Sequence, residues 1–170
     1  SIDPQYLLQQ TFPCAYSDRD FALVQLHGDA SRFVRARSHF VPIEPRIVQH
    51  EVVGWGRHGS QAGSPSAAGV IRRVGWMNSH GWDSNQGINL VGGSLTDRGD
   101  SGGGYFVRPG TSLRILVGTH ACYIQDTWNR GADGARVSAH WPWVLAEASA
   151  LGRPLSCRTS SLNGVAYAYG

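Results

Sequence analysis

The chain has 170 residues, 41% of them apolar and 16% charged, with a formal net charge of +3. That balance excludes a disordered tail or a coiled coil, and no apolar run approaches the roughly 18 residues a membrane helix needs. Glycine supplies 22 residues, about twice its usual ~7% share, which favours turns and short strands over long helices.

Short apolar runs closed by Gly, Pro, Asn or Asp predict strands at residues 6–10, 20–26, 48–55, 68–76, 87–91, 105–107 and 113–121. In the third of these, His50, Val52 and Gly54 alternate with Glu51, Val53 and Trp55, as in a strand buried on at least one face. One segment alone reads as a helix. Pro142 stands where a first-turn proline is welcome, and Val144, Leu145, Ala148 and Leu151 form an apolar stripe ending at Gly152. The remainder, residues 153–170, reads as a final strand or a loose end, and no internal repeat is present. The expectation is an all-β domain closed by one C-terminal helix.

All 15 basic residues are arginine, a bias that fits the codon usage of a G+C-rich bacterial genome and says little about partners. No run of five or six like charges occurs, and the densest basic stretch, residues 32–37, alternates Arg with Phe, Val and Ala as a solvated face would. Neither nucleic acid nor membrane is expected as a partner. Cys14, Cys122 and Cys157 contain no CxxC pair, which rules out a zinc ribbon or a dithiol redox site. They allow one internal disulfide plus a free thiol, or a link to another chain. Residues 1–6 lack a basic region followed by an apolar stretch, so the chain is expected to be a mature, cleaved or truncated form. His80-Gly81-Trp82-Asp83 offers two possible metal ligands on one loop, short of the usual three or four, so no metal and no cofactor is implied.

The chemistry concentrates in Arg98-Gly99-Asp100-Ser101-Gly102-Gly103-Gly104. A serine flanked this tightly by glycines exposes its hydroxyl on a sharp turn, and backbone N–H groups there can converge on one point as an oxyanion hole requires. Other motifs surround it in a fixed order. Asp20 directly precedes the apolar run Phe21-Ala22-Leu23-Val24, and Val52-Val53-Gly54-Trp55-Gly56 precedes the serine turn. Leu116-Val117-Gly118 and Arg136-Val137-Ser138 follow it, running into Trp141-Pro142-Trp143-Val144. In order and spacing this resembles the trypsin/chymotrypsin family of serine proteases, over residues 6–151. Asp20 lies 81 residues before Ser101, somewhat short of the family's usual separation.

The resemblance implies a double β-barrel. This chain would supply the second barrel (residues 47–140), about two strands of the first with the inter-barrel linker (residues 1–46), the closing helix (residues 141–152) and a tail (residues 153–170). It implies Ser101 as nucleophile, the N–H groups of Gly99 and Ser101 as oxyanion hole, and Asp20 as the orienting partner of a histidine. Asp100 would pair with the N-terminal amine that zymogen cleavage releases, or simply cap backbone N–H groups of its own turn. A secreted or periplasmic location follows from the same resemblance.

The family's order is histidine, aspartate, serine, yet none of the 19 residues before Asp20 is histidine. All seven histidines, at 27, 39, 50, 58, 80, 120 and 140, come later, without the family's flanking residues. A first barrel lacking most of its strands would also leave unpaired edges. Three readings follow. In the first, a companion N-terminal polypeptide completes the first barrel and brings the histidine, making a two-chain endopeptidase that cuts protein or peptide substrates. In the second, the chain is an inactive binding module. In the third, His120 serves as a re-sited base.

By resemblance the substrate pocket is lined by Leu95, by Ala121, Cys122 and Tyr123, and by Ala132. Leu95 suggests an apolar or small side chain in the substrate, whereas Asp97 or Asp133 reaching the pocket floor would select Arg or Lys. Asp97 stands where the family often has a cysteine, so the usual bridge across the pocket is absent and Cys122 is expected to be a buried free thiol.

Overall fold

A computed structural model describes residues 19–25, 39–40, 49–56, 72–81, 87–91, 96, 99–108, 113–125, 130–163 and 165–169. Nine strands and one helix are present among them: β1 (His39–Phe40), β2 (Gln49–Gly54), β3 (Arg73–Gly81), β4 (Gly87–Val91), β5 (Gly104–Val107), β6 (Ile115–Gln125), β7 (Arg130–Arg136), α1 (Val137–Ala150), β8 (Arg158–Leu162) and β9 (Val165–Tyr169). The described residues are mostly β-strand with one helix, consistent with the all-β expectation.

Six strands run in the order β5-β2-β3-β4-β7-β6, and β5 also pairs with β6. The sheet thus closes on itself as a ring of antiparallel strands, which removes free edges from these six. Alternation along each strand fills the ring. Val52, Met77, Ile88, Leu90, Tyr105, Val107, Ile115, Val117 and Ala132 form the core, all but Val52 almost wholly removed from water. Strand β2 is buried on both faces because its outward residues are covered as well. Glu51, fully buried, is ion-paired with Arg108 and, at 2.6 Å, with Arg114. The Arg108 guanidinium in turn lies 5.6 Å from the centre of the Trp76 ring.

Strand β7 was not expected as a strand, because Arg-Gly-Ala-Asp-Gly-Ala-Arg has the composition of a loop. Crowding explains the small residues. A Cβ on Gly134 would overlap the Thr119 carbonyl and lie 3.1 Å from the Tyr105 ring, and one on Gly131 would lie 2.6 Å from the Leu90 carbonyl. The small residues make room for Tyr105, whose ring is fully buried. The predicted strands at 48–55, 87–91, 105–107 and 113–121 correspond to β2, β4, β5 and β6, while β3 starts and ends later than residues 68–76. Residues 20–25 are not a regular strand: Ala22 makes a single bridge and the Phe21 N–H turns back to the Arg19 carbonyl at 2.9 Å. The strand expected at residues 6–10 lies outside the described residues, as does most of what would belong to a first barrel.

Helix α1 continues directly from β7 and begins at Val137, before Pro142 rather than at it. Pro142 therefore sits inside the helix, where it forfeits the N–H that would reach the Ser138 carbonyl. The buried stripe is Val137, His140, Val144 and Ala148, so Leu145 and Leu151, expected in it, face outward. Gly152, at φ 71°, ends the helix in a left-handed cap, with the Arg153 N–H on the Ala148 carbonyl at 2.8 Å. Beyond it the tail forms the hairpin β8–β9, in register from Arg158↔Tyr169 to Leu162↔Val165, with Asn163 at φ 50° after β8. Strand β9 pairs with β1, and β1 runs parallel to β6, so these three strands extend the sheet from the ring.

Candidate active site

Ser101 stands exposed on the turn that leads into β5. Gly99 (φ 95°) and Gly102 (φ 81°) occupy the left-handed region on either side of it, a conformation other residues rarely adopt. The turn is locked to β6 by backbone hydrogen bonds. The Gly102 N–H donates to the His120 carbonyl at 2.7 Å, and the His120 N–H donates to the Gly103 carbonyl at 2.7 Å. Within the turn, the Gly103 N–H donates to the Asp100 carbonyl at 2.8 Å. Among the described residues these bonds use the N–H groups of Gly102 and Gly103 and not those of Gly99 and Ser101, the pair an oxyanion hole would need.

Asp100 points away from Ser101, toward the end of β2. Its Oδ1 accepts the Gly56 N–H at 2.6 Å, a short bond of the kind a charged acceptor makes. The carboxylate thus caps a backbone donor, though one 44 residues away rather than in its own turn.

Asp20 and Ser101 meet on one short stretch of β6. Thr119 Oγ1 donates to the Asp20 carbonyl at 3.4 Å, and Ser101 Oγ makes a long contact of 3.5 Å with the Ala121 carbonyl. Thr119 and Ala121 are two residues apart, roughly 7 Å along a strand. Phe21 secures the Asp20 segment from the other side. It stacks on His140 with ring centres 5.0 Å apart and meets Trp143 edge-on at 6.0 Å. Burial raises the Asp20 carboxyl above its ordinary 3.8.

Three histidines have described side chains, and none is bonded to Asp20 or Ser101. His50 is buried in the ring on the face of Val52, with neither ring nitrogen hydrogen-bonded. His120 is buried with Nδ1 2.6 Å from the Tyr105 hydroxyl. His140 is buried against Phe21. Burial lowers the imidazoles of His50 and His120 to about 4; for His120 the Asp100 carboxylate pulls weakly the other way. The Tyr105 hydroxyl is pushed well above 10, first by burial and then by Asp133 and Asp100. All three buried groups are therefore neutral near pH 7.

Of the expected pocket residues, Ala121 and Cys122 are half-buried, and Tyr123 is in register with Ala132 across β6 and β7. Ala132 itself is fully buried in the core cluster. Asp133 is buried, and its Oδ1 accepts the Gly134 N–H at 3.1 Å. Leu95 and Asp97 lie outside the described residues. Cys122 corrects the expectation of a free thiol: it is disulfide-bonded, and the free cysteine is Cys157. Among the described residues no group of three or more His, Cys, Asp or Glu could hold a metal ion.

What the sequence did not reveal is the seating of Asp100 against Gly54 and Gly56. The glycines flanking Trp55 were the visible signal, but nothing local says which side chain they admit. No protein-family model matches this chain, and no curated protein does either.

Proposed function

We propose that this chain is the nucleophile-bearing part of a serine endopeptidase resembling the trypsin/chymotrypsin family. One observation carries the reading. Ser101 stands on a left-handed glycine turn pinned to β6, with the Asp20 segment docked two residues away on that strand. Ser101 Oγ would attack the peptide carbonyl, and the Gly99 and Ser101 N–H groups would hold the developing oxyanion. Asp20 would orient a histidine and stabilise its protonated form.

The histidine is supplied by a companion polypeptide that also completes a first barrel. The reading with His120 as base is disfavoured, because its Nδ1 is taken by Tyr105 and the imidazole is buried. An inactive binding module is the second reading, favoured by the lack of a described histidine on either catalytic residue. The disulfide at Cys122 supports an oxidising, secreted or periplasmic location.

Ser101→Ala tests the assignment. Peptide-bond hydrolysis by the purified protein, with any companion chain retained, should disappear while the thermal transition stays in place. Undiminished hydrolysis by the variant would remove Ser101 from the mechanism, and an inert wild-type protein would favour the binding module.

A further inference from the structure

Three glycines bring the end of β2 against the serine turn, backbone to backbone. A Cβ on Gly54 would overlap Asp100 Oδ1 and lie 2.7 Å from Asp100 Cγ. One on Gly56 would lie 2.5 Å from Asp100 Cγ and 2.6 Å from each carboxylate oxygen. One on Gly103 would overlap the Val53 carbonyl and lie 2.8 Å from that of Asp100. A side chain at Gly54 or Gly56 would have to push the Asp100 carboxylate aside, and one at Gly103 would have to move backbone. Glycine weakens a strand, so two at a strand end call for a reason, and close approach of another segment is the usual one.

We infer that Gly54-Trp55-Gly56 is a seat for the Asp100 carboxylate, and that Gly54 and Gly56 are positioning residues that set the geometry of Ser101 through Asp100. The inference rests on the reading of Ser101 as nucleophile and adds what fixes its turn. Asp100 opens the peptide that carries the Ser101 N–H, and the Gly99 N–H lies one peptide further back. A carboxylate held in the seat anchors the Asp100 Cα from which the Ser101 N–H peptide departs. Seated, Oδ1 accepts the Gly56 N–H at 2.6 Å, and Arg73 donates to the Gly56 carbonyl at 3.2 Å from the adjoining strand. Arg73 is in register with Gly54, so β3 braces the seat from behind. The turn is tied to β6 on one side and to β2 on the other, which leaves Ser101 exposed at the apex of a fixed arch.

The test is a double-mutant cycle between Gly56→Ala and Asp100→Ala, read in two ways on the purified protein with any companion chain retained. One reading is amide hydrogen exchange at Gly102 and His120, the N–H groups that tie the turn to β6. The other is the rate at which a fluorophosphonate modifies Ser101. Gly56→Ala should speed exchange at both amides by about tenfold or more, the loss expected for a bond to a charged acceptor. It should slow labelling by about 10²-fold, the cost of displacing one oxyanion donor. In the Asp100→Ala background the same substitution should change either reading less than about twofold, because the atoms it strikes are gone. Equal effects in the two backgrounds, or no effect of Gly56→Ala alone, would overturn the seat. Should Gly56→Ala fail to fold, recovery of the fold in the double variant supports the seat and continued failure overturns it. The exchange arm decides the seat even if the wild-type serine proves unreactive, so loss of the nucleophile reading and loss of the seat are separate results.

Discussion

Ser101 and Asp20 reach the same stretch of β6 by different routes. The serine turn is bound to β6 by two backbone hydrogen bonds of 2.7 Å and to β2 through the Asp100 carboxylate. These anchors belong to the closed ring or adjoin it. Among the described residues Asp20 is held by a 3.4 Å bond to its carbonyl and by the packing of Phe21 on α1. Thr119 belongs to the ring, but the Phe21 contacts lie on α1, which follows the ring in sequence, and the Asp20 segment itself is irregular. The difference teaches that the Ser101 turn is organised by contacts to β6 and the end of β2, whereas the Asp20 segment depends on a long-range aromatic contact.

Asp20→Asn breaks the comparison hardest. Peptide hydrolysis should fall by roughly 10⁴-fold, the loss known for the worked example of this triad, with exchange at the Gly102 amide unchanged. A loss of only a few-fold would mean Asp20 does not support the base. Phe21→Ala comes next. Removing a buried phenylalanine costs about 3–5 kcal/mol, so the melting temperature should drop. Below the transition, hydrolysis should fall while the Gly102 amide keeps its protection. Equal loss of protection at Gly102 would show that the two halves are not independently held.

The smallest effect separates the ring from the Asp20 segment by pH. His50 and His120 are lowered from 6.5 to about 4 by burial. The unfolded chain therefore takes up protons that the folded ring refuses. Their contribution is fully present above pH 6.5 and is lost as pH falls toward 4, on the order of 3 kcal/mol for each histidine. Asp20, raised by burial, acts with the opposite sign, its contribution fading as pH rises through its folded value. Urea midpoints between pH 7 and 4 should fall steeply for the wild type and less steeply for His50→Leu. A flat wild-type profile would contradict neutral burial of these rings.

How much could be read from residues alone follows the same division. Strand β4 was legible to the residue, because Gly-Ile-Asn-Leu-Val alternates between turn signals. Strand β7 was not, since its glycines and alanines answer to Tyr105 and to neighbouring backbone rather than to strand propensity. The helix start was placed late because Pro142 suggested a first turn, while the buried face begins at Val137. The tail carried a hairpin signal in Asn163-Gly164 that was left undecided. At the site, Gly99 and Ser101 were legible from their flanking glycines. The partner of Asp100 was not, because a contact between residues 44 apart leaves no local pattern.

The central claim is that Ser101 is an activated nucleophile whose histidine arrives on a second polypeptide. The most direct measurement is a denaturing intact-mass spectrum of the purified protein after fluorophosphonate treatment, with peptide mapping of the adduct. The account predicts a single adduct on Ser101 and a co-purifying polypeptide that contains a histidine. A lone, unlabelled 18.4 kDa species would contradict it.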